Sequence, residues 1–400
     1  MPRRAFRPAA LPELIVTDAT KLSVCVRDLA RSSVIGFDTE FVGEDSYQPE
    51  LCLIQVSTAE RLYIIDPFAC GPLDSFWALL HDPNRVVLAH AAREEVRLCR
   101  FGSGKVPANL FDMQIAVGFL GLTYPISYAG LVQEILGVRL NKGDTLSDWR
   151  RRPLSDSQLR YAFDDVRYLI PAYEIVSAKL SKLKRLEWAA EDFAAFIKRA
   201  VGGDDGTIER WRKIKGIGGL NRKELAVIRA VFGWREQVAE RWNRPARTVL
   251  RDDMMVEVAR RGARSPNDLE ELRGLPKKEI EAIQEAIRKA LKLPASEHPL
   301  EAEPDYDPPQ VATLGALLNV VLTDTCARLR LAPSLVCSSQ DLKDLVRARQ
   351  PGISLPADSP FIGGWRREAV LPVLDSLLDG KLQVRVSNPS AADPLEFVEG

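Results

Sequence analysis

Strand-like runs stop before residue 90 in a chain of 400, and that asymmetry sets the architecture. Val34–Phe41, Leu51–Ser57, Leu62–Ile65 and Val86–Ala89 are rich in β-branched residues and bounded by turn signals, so each reads as a strand. The first three are spaced as a meander, with turns at Gln48-Pro49-Glu50 and Thr58-Ala59-Glu60-Arg61. Helical stretches near 72–80, 91–100, 113–120, 127–136 and 155–180 lie between and after them, the last opened by a capping-box pattern at Ser155–Gln158. The strand signal then fades. Residues 181–205 continue helical, 207–292 carry helical apolar periodicity throughout, and a final helical unit follows from about 310 to 385. The fold class expected is α/β, a mixed sheet with helices on its faces, followed by two all-α units. Domains are expected at 12–200, 207–293 and 310–385. They are separated by the linker Gly202–Gly206 and by the acidic, proline-rich stretch Leu293–Pro309. Residues 1–11 and 387–400 read as disordered tails.

Composition narrows the function classes. The six cysteines have no C-x-x-C spacing and sit in apolar contexts, which favours reduced thiols in a cytoplasmic protein over disulfides or a zinc site. No run approaches the roughly 20 apolar residues of a membrane span, so no membrane partner is expected. The basic N-terminus lacks a following apolar stretch and is not a secretory signal. With a net charge of zero, any nucleic-acid contact has to come from local patches and metal ions.

Chemistry is concentrated in a few acids. Asp38 and Glu40 are two apart at the end of the apolar run Val34–Phe37, so a strand presents both carboxylates on one face. Tyr161 and Asp165 are four apart and share a face of a helix. Carboxylates delivered to one place by a strand and a helix suit hard divalent cations such as Mg²⁺ or Mn²⁺. A pair of such ions can hold the attacking and leaving oxygens of a phosphodiester.

Phe37-Asp38-Thr39-Glu40-Phe41, His90 with an acid five residues on, and Tyr161-x-x-x-Asp165 follow the order of the three exonuclease motifs of the DEDD superfamily, in its tyrosine subgroup. Phe111–Ala116, Lys142–Trp149, Arg152-Pro153-Leu154 and Gln158–Ala162 resemble the ribonuclease D family in particular. Leu220–Leu225, Phe232–Arg235, Ala239–Arg241, Arg244-Pro245 and Val249–Asp253 resemble a helicase-and-RNase-D C-terminal (HRDC) domain, and Gly364–Arg367 is similar to the second, divergent HRDC domain of the same family. One position departs. Where the family most often has aspartate after His90, this chain has Glu95, one methylene longer, with Glu94 as a competitor one residue out of phase.

The resemblance implies a ribonuclease-H-like exonuclease domain with two divalent ions held by Asp38, Glu40, Glu95 and Asp165, and a water oriented by Tyr161. It implies a 3′→5′ exoribonuclease that releases nucleoside 5′-monophosphates from the free, single-stranded 3′ end of RNA such as tRNA precursors; no feature of the sequence argues for an obligate oligomer, so a monomer is expected. Thr39 and Phe41 beside the acids are candidates for contact with the last nucleotide, although both could equally face the core. Lys142, Arg151 and Arg152 are candidates for the phosphate backbone. In the first helical unit Arg210–Lys213 and Arg222-Lys223 could track a backbone, and Trp234 and Trp242 are expected in its core. His90 stays outside the catalytic set. The alternatives are a 3′→5′ DNA exonuclease and a nucleic-acid-binding protein whose chemistry is weakened by Glu95.

Overall fold

The computed structural model describes residues 10–140, 147–201, 210–271, 275, 277–301, 307–391 and 394–399. Residues 1–9 of the N-terminal tail, the Gly202–Gly206 linker and Lys142 therefore lie outside the described residues.

Six strands form one sheet in the order β1-β4-β3-β2-β5-β6: β1 (Glu13–Val16), β2 (Val34–Val42), β3 (Glu50–Ser57), β4 (Leu62–Ile65), β5 (Val86–Ala89) and β6 (Leu110–Asp112). β3 runs antiparallel to both neighbours, and the other pairs are parallel, so the sheet is mixed as expected. α1 (Ala19–Leu29), α2 (Pro67–Cys70), α3 (Asp74–Leu80) and α4 (Arg93–Ser103) come in the first half of this domain. α5 (Met113–Gly118), α6 (Tyr128–Leu136), α7 (Asp156–Arg167), α8 (Leu169–Lys182) and α9 (Leu186–Val201) complete it.

Alternation along β2 sorts the two faces. Ile35 and Phe37 pack with Phe76, Trp77, Val96 and Cys99 from α3 and α4. Gly36, Asp38 and Glu40 turn to the opposite face, which α7 and α8 cover. Gly36 cannot be larger, because a Cβ there would stand 2.2 Å from Ser57 Oγ and 3.1 Å from Leu169. The pairing of β2 with β3 slips between Glu40 and Phe41, leaving Cys52 as the extra residue of a β-bulge beside the acids.

The expected 155–180 helix is two helices. The capping box holds: the Gln158 amide donates to Ser155 Oγ and the Ser155 amide to Gln158 Oε1. The chain breaks at Tyr168 because Pro171 has no amide to give the carbonyl of Arg167, four residues back.

The first helical unit contains α10 (Arg222–Trp242), α11 (Ala246–Val249), α12 (Asp252–Gly262) and α13 (Ile280–Leu291) around its own core. Trp234 is buried there, whereas Trp242 is 40% exposed against the expectation, beside the Arg241 guanidinium. The loop between β2 and β3 touches this unit: the Tyr47 hydroxyl donates to Glu236 Oε2 (3.3 Å) and the Gln48 amide to Asn243 Oδ1 (3.1 Å).

The last unit contains α14 (Pro309–Leu329), α15 (Pro333–Val336), α16 (Ser339–Arg347), α17 (Gly364–Ala369) and α18 (Leu371–Leu378). α14 corrects one expectation, since by length and composition it could cross a membrane, with a mean hydropathy of 1.3. Its Val311, Leu318, Leu322 and Cys326 pack in the shared core. The C-terminal residues also depart from a disordered tail: β7 (Leu382–Val386) pairs antiparallel with β8 (Leu395–Glu399), and Phe397 lies under the Arg328 guanidinium. Asp192 on α9 fastens the unit. It accepts from Arg366 Nη1 and Nη2 (2.6 and 2.8 Å) and from Trp365 Nε1 (3.2 Å), while Trp365 stacks on Trp188.

Candidate active site

β2 outruns β5 toward its C-terminal end, so Asp38, Thr39 and Glu40 project past their parallel neighbour. The turn after β5 launches α4 into that space. Ala91 takes a left-handed conformation there (φ 57°). The wholly buried carboxylate of Asp112 accepts from the amides of Ala92 (2.8 Å), Gln114 (2.8 Å), Ile115 (3.2 Å) and Ala91 (3.4 Å). One side chain thereby caps α5 and fixes the start of the helix that carries Glu95.

Glu95 is buried, and the Thr39 hydroxyl donates to its Oε1 at 2.9 Å. Thr39 thus serves an acid, which removes it from the candidates for nucleotide contact. The physical reason is strand alternation, which points it away from Asp38 and Glu40 and toward α4. Glu94 pairs instead with Arg97, three residues on (3.2 Å). Phe41 is half-buried beyond the bulge and outside the packed cores.

From the covering layer, α7 brings Tyr161 and Asp165. The Tyr161 hydroxyl faces Asp165 one turn on, and burial together with Asp165, Glu40 and Asp38 holds its proton far more tightly than an ordinary phenol. Tyr161 is therefore a hydrogen-bond donor and no base at neutral pH. Its ring lies 6.0 Å from that of buried Trp149. Asp164, beside the site, is drawn away by Arg167 Nε at 2.8 Å.

The four acids disturb one another. Burial raises Asp38 well above the ordinary carboxylate range, with Glu95, Asp165 and Glu40 adding to the rise. Burial, Asp165 and Glu95 push Glu40 up to about 8. Asp165 and Glu95 are raised as well, each chiefly by burial. His90 offers no compensating charge, since burial lowers its imidazole to about 4 and leaves it neutral. Its ring meets Tyr128 edge-on at 5.5 Å, and Tyr128 feels Asp165 and Asp38. Nothing in the sequence near Tyr128 announces this proximity.

Four carboxylates crowded together in a buried site offer the hard oxygen donors that a divalent ion takes, and Asp165 Oδ2 is buried with no protein partner. The residues fit such an ion by chemistry rather than by finished geometry. Among the described residues no three potential ligands converge on one point. A prediction follows for metal-free protein. The folded state binds the Glu40 proton more tightly than the unfolded chain, whose value is near 4.5, so this stabilisation is complete below about 4.5 and lost as pH rises through about 8. Melting temperature in EDTA should therefore fall between pH 5 and 8, and Mg²⁺ should restore it at pH 8. A flat profile in EDTA contradicts the assignment.

The candidate phosphate contacts divide. Arg152 is corrected from a substrate residue to a structural one. It gives Nε and Nη2 to Asp66 (2.6 and 3.0 Å), Nη2 also to the carbonyl of bulge residue Cys52 (2.8 Å), and Nη1 to the carbonyls of Trp149 and Arg151 (2.8 and 3.0 Å). A bidentate carboxylate and three carbonyls engage all its nitrogens. Arg151 stays 84% exposed, with Asp148 at 3.5 Å. In the first helical unit Arg222 is likewise held by the carbonyls of Ala295 and His298, and Arg210 by Glu236.

Residues 14–181 match the 3′-5′ exonuclease family and residues 224–291 the HRDC domain. Ribonuclease D of Gluconacetobacter diazotrophicus is 33% identical over 385 residues, 94% of this chain and 96% of the relative. Ribonuclease D of Pseudomonas paraeruginosa is 34% identical over 90% of this chain and 97% of its own. Among solved structures, Escherichia coli RNase D, an exoribonuclease involved in structured RNA processing, superposes with a TM-score of 0.77 at 26% identity, over 92% of this chain and 99% of its own. The catalytic core of RRP6 from Trypanosoma brucei gives 0.53 at 25% identity, over 72% and 82%. With its exonuclease sheet, its acids and its HRDC domain in this order, the chain belongs to the ribonuclease D family of 3′→5′ exonucleases.

Proposed function

We propose that this enzyme removes nucleotides one at a time from the single-stranded 3′ end of RNA, tRNA precursors among its substrates, and releases nucleoside 5′-monophosphates. The observation that carries the reading is the meeting of Asp38 and Glu40 from a strand with Tyr161 and Asp165 from the helix packed across it, all four acting on one another. Asp38, Glu40, Glu95 and Asp165 would hold two divalent ions, Mg²⁺ or Mn²⁺. When bound, these would supply the Lewis acidity that acidifies the attacking water and stabilises the leaving 3′ oxygen. Tyr161, fixed between Asp165 and Trp149, holds the attacking water in line through its hydroxyl. In this reading Phe41 touches the terminal nucleotide, exposed Arg151 touches the phosphates behind it, and the HRDC domain supports capture of the strand. The enzyme works in this reading as a monomer in the cytoplasm, consistent with six unpaired cysteines.

Matched RNA and DNA strands test the substrate, with chromatographic identification of the released nucleotide. Monophosphates from RNA in excess over DNA are expected, and equal rates would favour the DNA exonuclease. Tyr161→Phe should lower kcat by roughly 10²-fold, the scale of one positioned polar group, with little change in KM. Unchanged kcat would remove Tyr161 from the mechanism.

A further inference from the structure

Gln55 is wholly buried, yet neither its amide nitrogen nor its amide oxygen has a hydrogen-bond partner in the protein. An unpaired amide in an apolar interior is destabilising, and buried polar groups in folded proteins are ordinarily paired. Its place explains why it is tolerated. Gln55 sits directly opposite Asp38 in the β2–β3 ladder, so the two side chains leave the sheet on the same face as close neighbours. Helix α7, which carries Tyr161 and Asp165, packs across β3 on that face. Ser57, two residues on along the same face, also has an unpartnered hydroxyl. The acid cluster therefore stands on a strip of polar groups that the fold leaves unsatisfied, in a layer otherwise built from Leu53, Ala162 and Val166.

We propose that Gln55 is a positioning residue for Asp38: its side-chain amide hydrogen-bonds the Asp38 carboxylate when that carboxylate takes up a divalent ion. A donated N–H fixes the carboxylate's rotamer and spreads its charge, the role that partners behind metal ligands commonly perform. Glutamine suits the position because it donates without adding another negative charge to four crowded acids. The inference rests on the reading that these acids bind divalent cations.

Mn²⁺ titration of RNA-free protein by calorimetry tests it, with Gln55→Leu, Gln55→Met and Asp38→Asn beside the wild type. Both Gln55 variants should bind Mn²⁺ about 10-fold or more weakly and lose kcat without a change in KM for RNA, in the range seen for such supporting residues. Their metal-free melting temperatures should equal or exceed that of the wild type, because an unsatisfied amide has been removed. If the leucine variant fails to fold, the unbranched methionine decides. Thr325→Val, which removes an unpartnered buried hydroxyl far away in α14, should leave Mn²⁺ affinity unchanged. Wild-type Mn²⁺ affinity in both Gln55 variants overturns the proposal while the metal reading stands. No Mn²⁺ binding by the wild type overturns the metal reading itself.

Discussion

Asp38→Asn should abolish cleavage, by about 10³-fold or more, the scale on which a charged group stabilising a transition state is lost. The substitution keeps size and shape and removes only the charge. Asp38 is the acid on which Glu95, Asp165 and Glu40 all act, so no neighbouring carboxylate can stand in for it. RNA binding should survive, because in the proposed reading exposed Arg151 and the HRDC domain grip the strand and the substitution alters neither. The same change should raise the melting temperature of metal-free protein, since one of four mutually repelling groups has gone. Asp165→Asn should behave alike. The check is a joint one: single-turnover cleavage, RNA binding in EDTA, and thermal unfolding in EDTA. Substantial cleavage by either variant would remove the carboxylates from the centre of the chemistry.

Asp192→Ala should destabilise the protein by about 3–5 kcal/mol, the cost of removing one partner from a buried ion pair. The side chains of Arg366 and Asp192 are only 14% and 7% exposed. The carboxylate also receives Trp365 Nε1, and the backbone amide of Trp365 reaches Glu191 Oε2 on the same helix (3.3 Å). The variant strands a guanidinium and an indole N–H together. Because the pair joins α9 to the last helical unit, unfolding in urea should lose cooperativity, with that unit melting first. Replacing Arg366 by methionine in the same background should recover part of the loss, since no buried charge then remains unpaired. A loss below about 1 kcal/mol, as for an exposed pair, would mean that this contact does not fasten the unit.

How far the sequence discloses this molecule depends on the range of each interaction. β4 and β5 match their sequence-read bounds, and β2 and β3 differ by one residue at an end, because β-branched runs between turn residues are local signals. β1 and β6, of four and three residues at the two edges, are too short to show a period. The hairpin of β7 and β8 escaped because each strand is only five residues long and the segment joining them, Ser387–Pro394, is rich in proline and small polar residues, so the stretch reads as a tail. Pro171 was visible, but a long apolar-periodic run outweighed it.

Asp38 with Glu40 and Tyr161 with Asp165 were legible because strand and helix periods pair them, whereas Glu95 came only from the resemblance to the family's motif after His90. Their supports were not. Thr39 meets Glu95 across 56 residues, Arg152 meets Asp66 across 86, and Asp112 reaches back 20 to the turn before α4. Each of these residues has a plain local reading: a polar strand residue, one of three consecutive arginines, a helix cap. Only the packed sheet selects the right partner. Gln55 is the extreme case, since a glutamine in an apolar strand signals nothing until its register against Asp38 is known.

Whether this enzyme is a metal-dependent 3′→5′ exonuclease is decided by product sizing over time on 5′-labelled single-stranded RNA, with Mg²⁺, Mn²⁺ or EDTA. A ladder descending by one nucleotide from the 3′ end is expected in either metal, and intact strand in EDTA. Asp38→Asn should leave the strand intact in all three. Internal fragments, or a ladder undiminished in EDTA, would contradict a metal-dependent 3′→5′ exonuclease.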